Sequence, residues 1–373
     1  MLRTDFCLHP SICSVQLLFT AVGLMLIATL VNAAPPIEEI RAIMAQKALH
    51  SPSAVSLAAL NADHLNEELQ KMDPYARYVP PSTSSRNLSS MHLGIEVFAY
   101  KSRLWVMPDS GGPADLAGIP EIANLRAINN KKVRDVDLSK ISVQLDKAVL
   151  EDRVDLTVFS LSDNKEKSYK VKPAASKPPS ITWRRIGTDI VLRIREFVAH
   201  DTAIGLSAIY RTLIQHGTRV VIDLRGCTGG DLYESLGIAG MFVPADLLLA
   251  STFDRNGLIQ SHQAPIGQKL PSPICLLIDH DTASAAEILA GILQYYHFTL
   301  LIGERSFGKC VSQTLVPLSN GGGLWLTNYC IHLPDNQSCT GNGLQPDISY
   351  PDIRITKMND IIKKINNVIS STY

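Results

Sequence analysis

The chain has 373 residues, of which 35 are basic, 35 are acidic and 46% are apolar. This length suits two or three domains, and the apolar share is enough to build sizeable cores. Zero net charge, with no basic cluster and no interleaving of aromatic and basic residues, argues against a nucleic-acid partner. No CxxC pair or HExxH occurs and the ten histidines are scattered, so no metal site is expected.

Met1-Leu-Arg3 gives a positive start, Ile12 to Val31 is apolar and uncharged, and Val31-Asn-Ala33 offers small residues before Ala34-Pro-Pro. Residues 1–33 are therefore expected to be a signal peptide cleaved after Ala33, with export to the periplasm or the extracellular space. The apolar stretch is also long enough to serve as an uncleaved membrane anchor. Residues 34–82 place Ile37, Ile40, Ile43 and Met44, then Leu57, Leu60, Leu65 and Leu69, at helical spacing. Met72-Asp-Pro-Tyr-Ala-Arg-Tyr-Val-Pro-Pro81 ends that segment with three prolines.

Residues 88–172 read as a β-rich module. Its strands are expected over 92–97, 104–107, 154–159 and 167–171, with a helix inside Ser110-Gly-Gly-Pro-Ala-Asp-Leu-Ala-Gly118. Residues 178–350 alternate strand and helix, which argues an α/β core. The strand 189–194 precedes a helix over 202–216 that Gly217 is placed to cap. Arg219-Val-Val-Ile-Asp-Leu224 then runs into Arg225-Gly-Cys-Thr-Gly-Gly230. That glycine loop lacks the Lys-Ser/Thr that a phosphate-binding loop needs next.

A buried strand over 273–278 ends in the turn Asp279-His-Asp-Thr282, and Ile288, Ile292 and Tyr296 then recur at helical spacing. Ser284 sits where the strand has ended and the helix begins, beside unpaired first-turn N–H groups that suit an oxyanion. A strand over 298–302 and the turn Gly303-Glu-Arg-Ser-Phe-Gly308 bring Lys309, with Gln313 four residues later. On spacing alone Ser284 could be a helix cap and Lys309 a solvated charge. A hairpin is expected over 314–329, and a C-terminal helix within 351–373. Outside the leader, Cys330 and Cys339 flank a short loop that an oxidising compartment could close as a disulfide, and Cys275 lies in a buried strand.

Thr282-Ala-Ser-Ala-Ala-Glu-Ile288, then Ile-Gly-Glu-x-x-Phe-Gly-Lys309-x-x-x-Gln313, resembles the C-terminal processing (tail-specific) peptidases. Asp223-Leu-Arg-x-x-x-Gly-Gly230, Gly341-x-Gly-Leu-x-Pro-Asp347 and the Asp-Pro-Tyr segment at 73–75 are similar to that family's motifs, and Leu93-Gly94-Ile95 resembles the carboxylate-binding loop of a PDZ domain. The sequence departs from the family at Ala286, where many members have serine, and at Pro120-Glu-Ile-Ala-Asn124, where Pro-Gly-Asp is common.

The resemblance implies a crotonase-like ββα protease core with an inserted PDZ domain and an N-terminal helical segment. It implies Ser284 as nucleophile, Lys309 as base and Gln313 beside it, with the amides of Ala285 and of Gly229 or Gly230 holding the oxyanion. No cofactor is required. The implied partners are the unstructured C-terminal tails of protein substrates, with an adaptor protein or a homo-oligomer left open. The rival reading is a catalytically silent peptide-binding chaperone or adaptor of the same fold. For Lys309 to act as a base its amine must be neutral, so Glu287 and Glu304 are expected to point away from it.

Overall fold

A computed structural model describes residues 34–81, 92–133, 136–150, 154–175, 178–214, 218–267 and 269–372. The leader segment expected over 1–33 and the Gly217 cap lie outside the described residues. No helix among the described residues is long and apolar enough to cross a membrane.

Three short helices open the chain: α1 (Ile37–Lys47), α2 (Ala54–Ala59) and α3 (Leu65–Met72). Ser53 caps α2 by accepting from the Ser56 N–H at 3.0 Å. The short strand β1 (Arg77–Val79) follows. Ile40, Met44, Leu65 and Leu69 from these helices pack on Leu318, Leu324 and Leu326 of the later hairpin. The N-terminal segment is thus built into the core and is not a separate appendage.

The next module contains β2 (Ile95–Tyr100), β3 (Arg103–Pro108), α4 (Pro113–Leu116), β4 (Ala123–Ile128), β5 (Lys131–Lys132), α5 (Leu138–Leu150), β6 (Val154–Ser160) and β7 (Lys165–Val171). Its antiparallel sheet runs β2-β3-β4-β6-β7, which leaves β2 at an edge. Strict alternation of burial along β6, with Val154, Leu156 and Val158 inward, reflects a sheet with one covered face.

The remaining elements are β8 (Ile181–Ile186), β9 (Asp189–Ile194), α6 (Thr202–Leu213), β10 (Val220–Asp223), α7 (Leu232–Gly240), β11 (Leu248–Asp254), β12 (Gly257–Gln263), β13 (Cys275–Ile278), α8 (Ala285–Tyr295), β14 (Leu300–Gly303), β15 (Val311–Pro317), β16 (Gly323–His332), β17 (Ile348–Ser349), a 3-10 turn (Ile353–Ile355) and α9 (Met358–Thr372). One sheet has the order β17-β14-β13-β10-β9-β8, parallel except for the β8–β9 pair. Its strands β10 and β13 are buried at every position, as expected of parallel strands covered on both faces. Residues of α6, α7 and α8 cover one face, and Met358, Ile361, Ile362 and Ile365 of α9 cover the other. A second sheet is built on β16, which pairs with β15 on one edge and with β1 and β11 on the other. The result is a mixed α/β fold in which the β10, β13 and β14 C-terminal ends converge on one cleft.

Candidate active site

The cleft forms because three loops leave neighbouring parallel strands on the same side. After β13, Asp279 turns the chain: its N–H donates to Thr282 Oγ1 at 2.9 Å, and its Oδ1 accepts from the N–H groups of Asp281 and Thr282. Ser284 follows at φ 57°, ψ −122°, a conformation that costs a side-chain-bearing residue on the order of 1–3 kcal/mol. Such a sharp strand-to-helix elbow projects the side chain into the cleft. The first turn of α8 begins at the next residue, so the Ala285 N–H has no helical partner.

The glycine loop after β10 lies against this elbow. Ala283 N–H donates to the Cys227 carbonyl at 2.9 Å. Gly229, at φ +103°, passes so close that a Cβ there would lie 2.7 Å from the Ser284 Cβ. The Gly229 N–H faces the Cys227 sulfur, whose thiol is pushed up to about 12 by burial. Gly230 is bridged in parallel to Phe197: Phe197 donates to Gly229 O at 2.9 Å and accepts from Asp231 N–H at 2.7 Å. That pattern leaves the Gly230 N–H on the opposite side, and Gly230 lines the cleft with Ala285. Of the two glycines named from sequence, Gly230 lines the cleft, while Gly229 makes the close approach to Ser284.

Lys309 comes from the loop after β14. Its Nζ donates to Gln313 Oε1 at 2.9 Å and lies 4.8 Å from the Tyr75 ring centroid. Gln313 Nε2 in turn donates to the Tyr75 carbonyl at 2.8 Å, which fixes the amide with its oxygen toward the lysine. Burial pushes the Lys309 ammonium below the ordinary lysine range; Asp73 opposes that shift and Arg77 assists it. Lys309 and Ser284 line the same cleft of about 350 Å³ with Thr228, Gly230, Gln313 and Trp325, although no hydrogen bond joins Nζ to Ser284 Oγ. Catalytic bonds are often loose in an unliganded site.

Glu287 holds the two halves together. Fully buried, it accepts from the N–H groups of Ser284 (2.9 Å), Gly308 (2.7 Å) and Lys309 (2.7 Å) and from the Ser306 hydroxyl. Its carboxylate is therefore spent on backbone donors, not on the Lys309 amine. Glu304 is likewise engaged elsewhere, accepting from Tyr100 Oη at 3.2 Å and Asp352 N–H at 2.7 Å. Both acids point away from the amine, as expected.

The disulfide is a correction. The bridge joins Cys310 to Cys339, with Cα atoms 5.3 Å apart, and Cys330 is free. The reason is that the 338–344 segment does not close back on its own hairpin but folds over the base loop. Gly341 N–H donates to Gly308 O at 3.0 Å, and Leu344 N–H to Ser306 Oγ at 2.6 Å. Cys330 stays in β16 opposite Val311.

Sequence reasoning did not find Tyr75, Asp73 or Glu287 as parts of the site. The Asp-Pro-Tyr motif at 73–75 was the one available signal for the first two. Leu93, Gly94 and Ile95 stand apart from the cleft, at the start of β2, where Gly94 at φ +61° packs against Pro113.

Residues 190–350 match peptidase family S41. The chain is 29% identical over 295 residues to the carboxyl-terminal-processing protease of Picosynechococcus, covering 75% of this chain and 70% of that protein. It is 26% identical to a probable CtpA-like serine protease of Staphylococcus epidermidis, covering 80% of this chain but only 62% of that one. Residues 190–350 are thus an S41 peptidase domain, and the chain is similar to the C-terminal processing proteases that carry one. It is accordingly a serine-type peptidase. Among solved structures, the photosystem II D1 C-terminal processing protease superposes with a TM-score of 0.58 at 21% identity, covering 84% of this chain and 92% of that one. A putative S41 protease of Bacteroides fragilis gives 0.61 at 16% identity, covering 88% and 97%. At such identities these two likenesses speak to the fold alone.

Proposed function

We propose that this S41 peptidase is an exported endopeptidase that docks a protein's unstructured C-terminal tail and cuts the chain upstream of it. The observation that carries the proposal is the shared cleft: Ser284 in a strained elbow at a helix N-terminus, and a half-buried Lys309 held by Gln313. Ser284 Oγ attacks the scissile carbonyl while Lys309 Nζ, as the free amine, takes the hydroxyl proton. The carbonyl electron pair moves onto oxygen, where the amides of Ala285 and Gly230 receive it. Collapse expels the amine, which takes the proton from Lys309. Water then attacks the acyl-enzyme through the same base, releasing the new carboxyl terminus and restoring Ser284. Gln313 keeps the Nζ lone pair aimed without lending it a charge.

Residues 88–172 are read as a PDZ domain and 178–350 as a crotonase-like core. The PDZ reading is supported by β2 lying at a sheet edge beside α5, where an extended peptide adds as a strand. The Leu93-Gly94-Ile95 loop at its start would hold the terminal carboxylate. Export rests on the apolar stretch at 12–31. Terminal-peptide mass spectrometry of the exported proteome tests this reading. New C-termini are expected with the wild type and absent with Ser284→Ala, and identical termini in both would refute it.

A further inference from the structure

A second arrangement lies just beneath the cleft and takes no part in the steps above. Beyond β17 the chain makes its 3-10 turn, and Arg354 on that turn is only 1% exposed. A guanidinium this deep must be paired to be tolerated. Its Nη1 donates to Asp279 Oδ2 at 2.7 Å, its Nη2 donates to Glu96, and its Cζ lies 4.4 Å from the Phe98 ring centroid.

Asp279 gives its other oxygen to the two loops that carry the oxyanion donors. Oδ1 accepts from Gly226 N–H at 3.0 Å, on the glycine loop, and from Thr282 N–H at 3.0 Å, on the nucleophile turn. Gly226 has φ +71°, and a Cβ there would collide with the Arg354 guanidinium. The hold is reciprocal. Arg225, one residue earlier, donates Nη1 to the carbonyls of Ile353 at 2.6 Å and Thr356 at 3.1 Å, while Asp223 takes its remaining donors. Each arginine thus secures the segment that bears the other.

We propose that Arg354 is a positioning residue for the oxyanion site, fixing the glycine loop against the nucleophile turn through Asp279. The proposal rests on the reading of Ser284 as nucleophile with Gly230 and Ala285 as oxyanion donors. Those two donors come from different loops, and oxyanion stabilisation needs both within about 2.7–3.1 Å of one oxygen. Strand β10 and helix α8 fix where the loops begin and end, and Ala283 N–H bonds the Cys227 carbonyl between them; Asp279 adds a side chain that bonds amides of both loops through Oδ1, and Arg354 holds its Oδ2. A lysine at 354 keeps the charge but lacks the planar fork that meets Asp279 and Glu96 together while lying over Gly226.

The test uses the full chain. The rate of fluorophosphonate labelling at Ser284 is measured beside kcat and KM for a peptide, in wild type, Arg354→Lys and the neutral pair Asp279→Asn/Arg354→Met. Cooperative thermal unfolding checks folding. The neutral pair leaves no unpaired buried charge, so it keeps the test readable if the single variant does not fold. Losing an oxyanion donor outright costs about 100- to 1,000-fold in kcat, so a displaced one is expected to cost about 10- to 100-fold. Folded Arg354→Lys should lose that much in both kcat and labelling rate, with KM within about twofold. The neutral pair should lose a comparable amount. Wild-type labelling rate in either folded variant overturns the proposal. A wild type that is not labelled at Ser284 at all would instead refute the nucleophile assignment on which the proposal rests.

Discussion

Gln313→Glu puts a carboxylate where a neutral amide oxygen now lies 2.9 Å from Lys309 Nζ. A unit charge pair about 4 Å apart is worth about 4 kcal/mol near a protein surface and about 1 kcal/mol in water. Lys309 is half-buried, so about 2 kcal/mol is appropriate, or about 1.5 pKa units at 1.36 kcal/mol per unit. The sign follows from the charges: a carboxylate stabilises the ammonium, so the base holds its proton to higher pH. Glutamate also loses the Nε2 donor to the Tyr75 carbonyl, which pushes the new carboxylate toward the amine. In a profile of kcat/KM against pH, the rising limb should move up by about 1.5 units. The rate below the limb should fall about 30-fold, with recovery at alkaline pH. A limb that stays in place while the variant remains active would show that Gln313 does not touch the base.

Non-reducing peptide mapping of protein from its native compartment should find Cys310 joined to Cys339 and Cys330 free; a Cys330–Cys339 bridge would contradict the fold of the 338–344 segment over the base loop. Cys339→Ser opens a 29-residue loop and should cost about 3–4 kcal/mol by chain entropy, read as a lower denaturation midpoint. Amidating a substrate's C-terminus should raise KM without moving the cleaved bond, and equal cleavage of amidated and free-acid peptides across half-saturation would remove the 93–95 loop from tail selection.

Much of the site was legible because its chemistry is local in sequence. Ser284 lies between an apolar run and a helical pattern, and Lys309 and Gln313 are four residues apart, so spacing and motif together pointed to them. Tyr75 and Arg354 were missed because their contacts span more than two hundred residues, whereas Glu287 reaches only Ser284 and the 306–309 loop. Tyr75 reaches Gln313 only because β1 pairs with β16, and Arg354 reaches Glu96 only after the whole core has closed. Helix α5 was also missed, although Ile141, Leu145 and Ala148 give it a helical face. The N-terminal segment read as helical from its spacing, yet Pro52 and the Asn61 turn divide it into three. The disulfide went wrong for the same reason as Tyr75: proximity in sequence favoured Cys330, while loop-on-loop packing chose Cys310.

The central claim is that Ser284 is a nucleophile activated by Lys309, and covalent labelling measures it directly. Treated with a fluorophosphonate, the wild type should gain one adduct by intact mass, and digestion should map it to Ser284. Lys309→Ala should label at least about 100-fold more slowly, the lower end of what a general base contributes. Labelling at a different residue, or at Ser284 with equal speed in wild type and Lys309→Ala, would contradict the account.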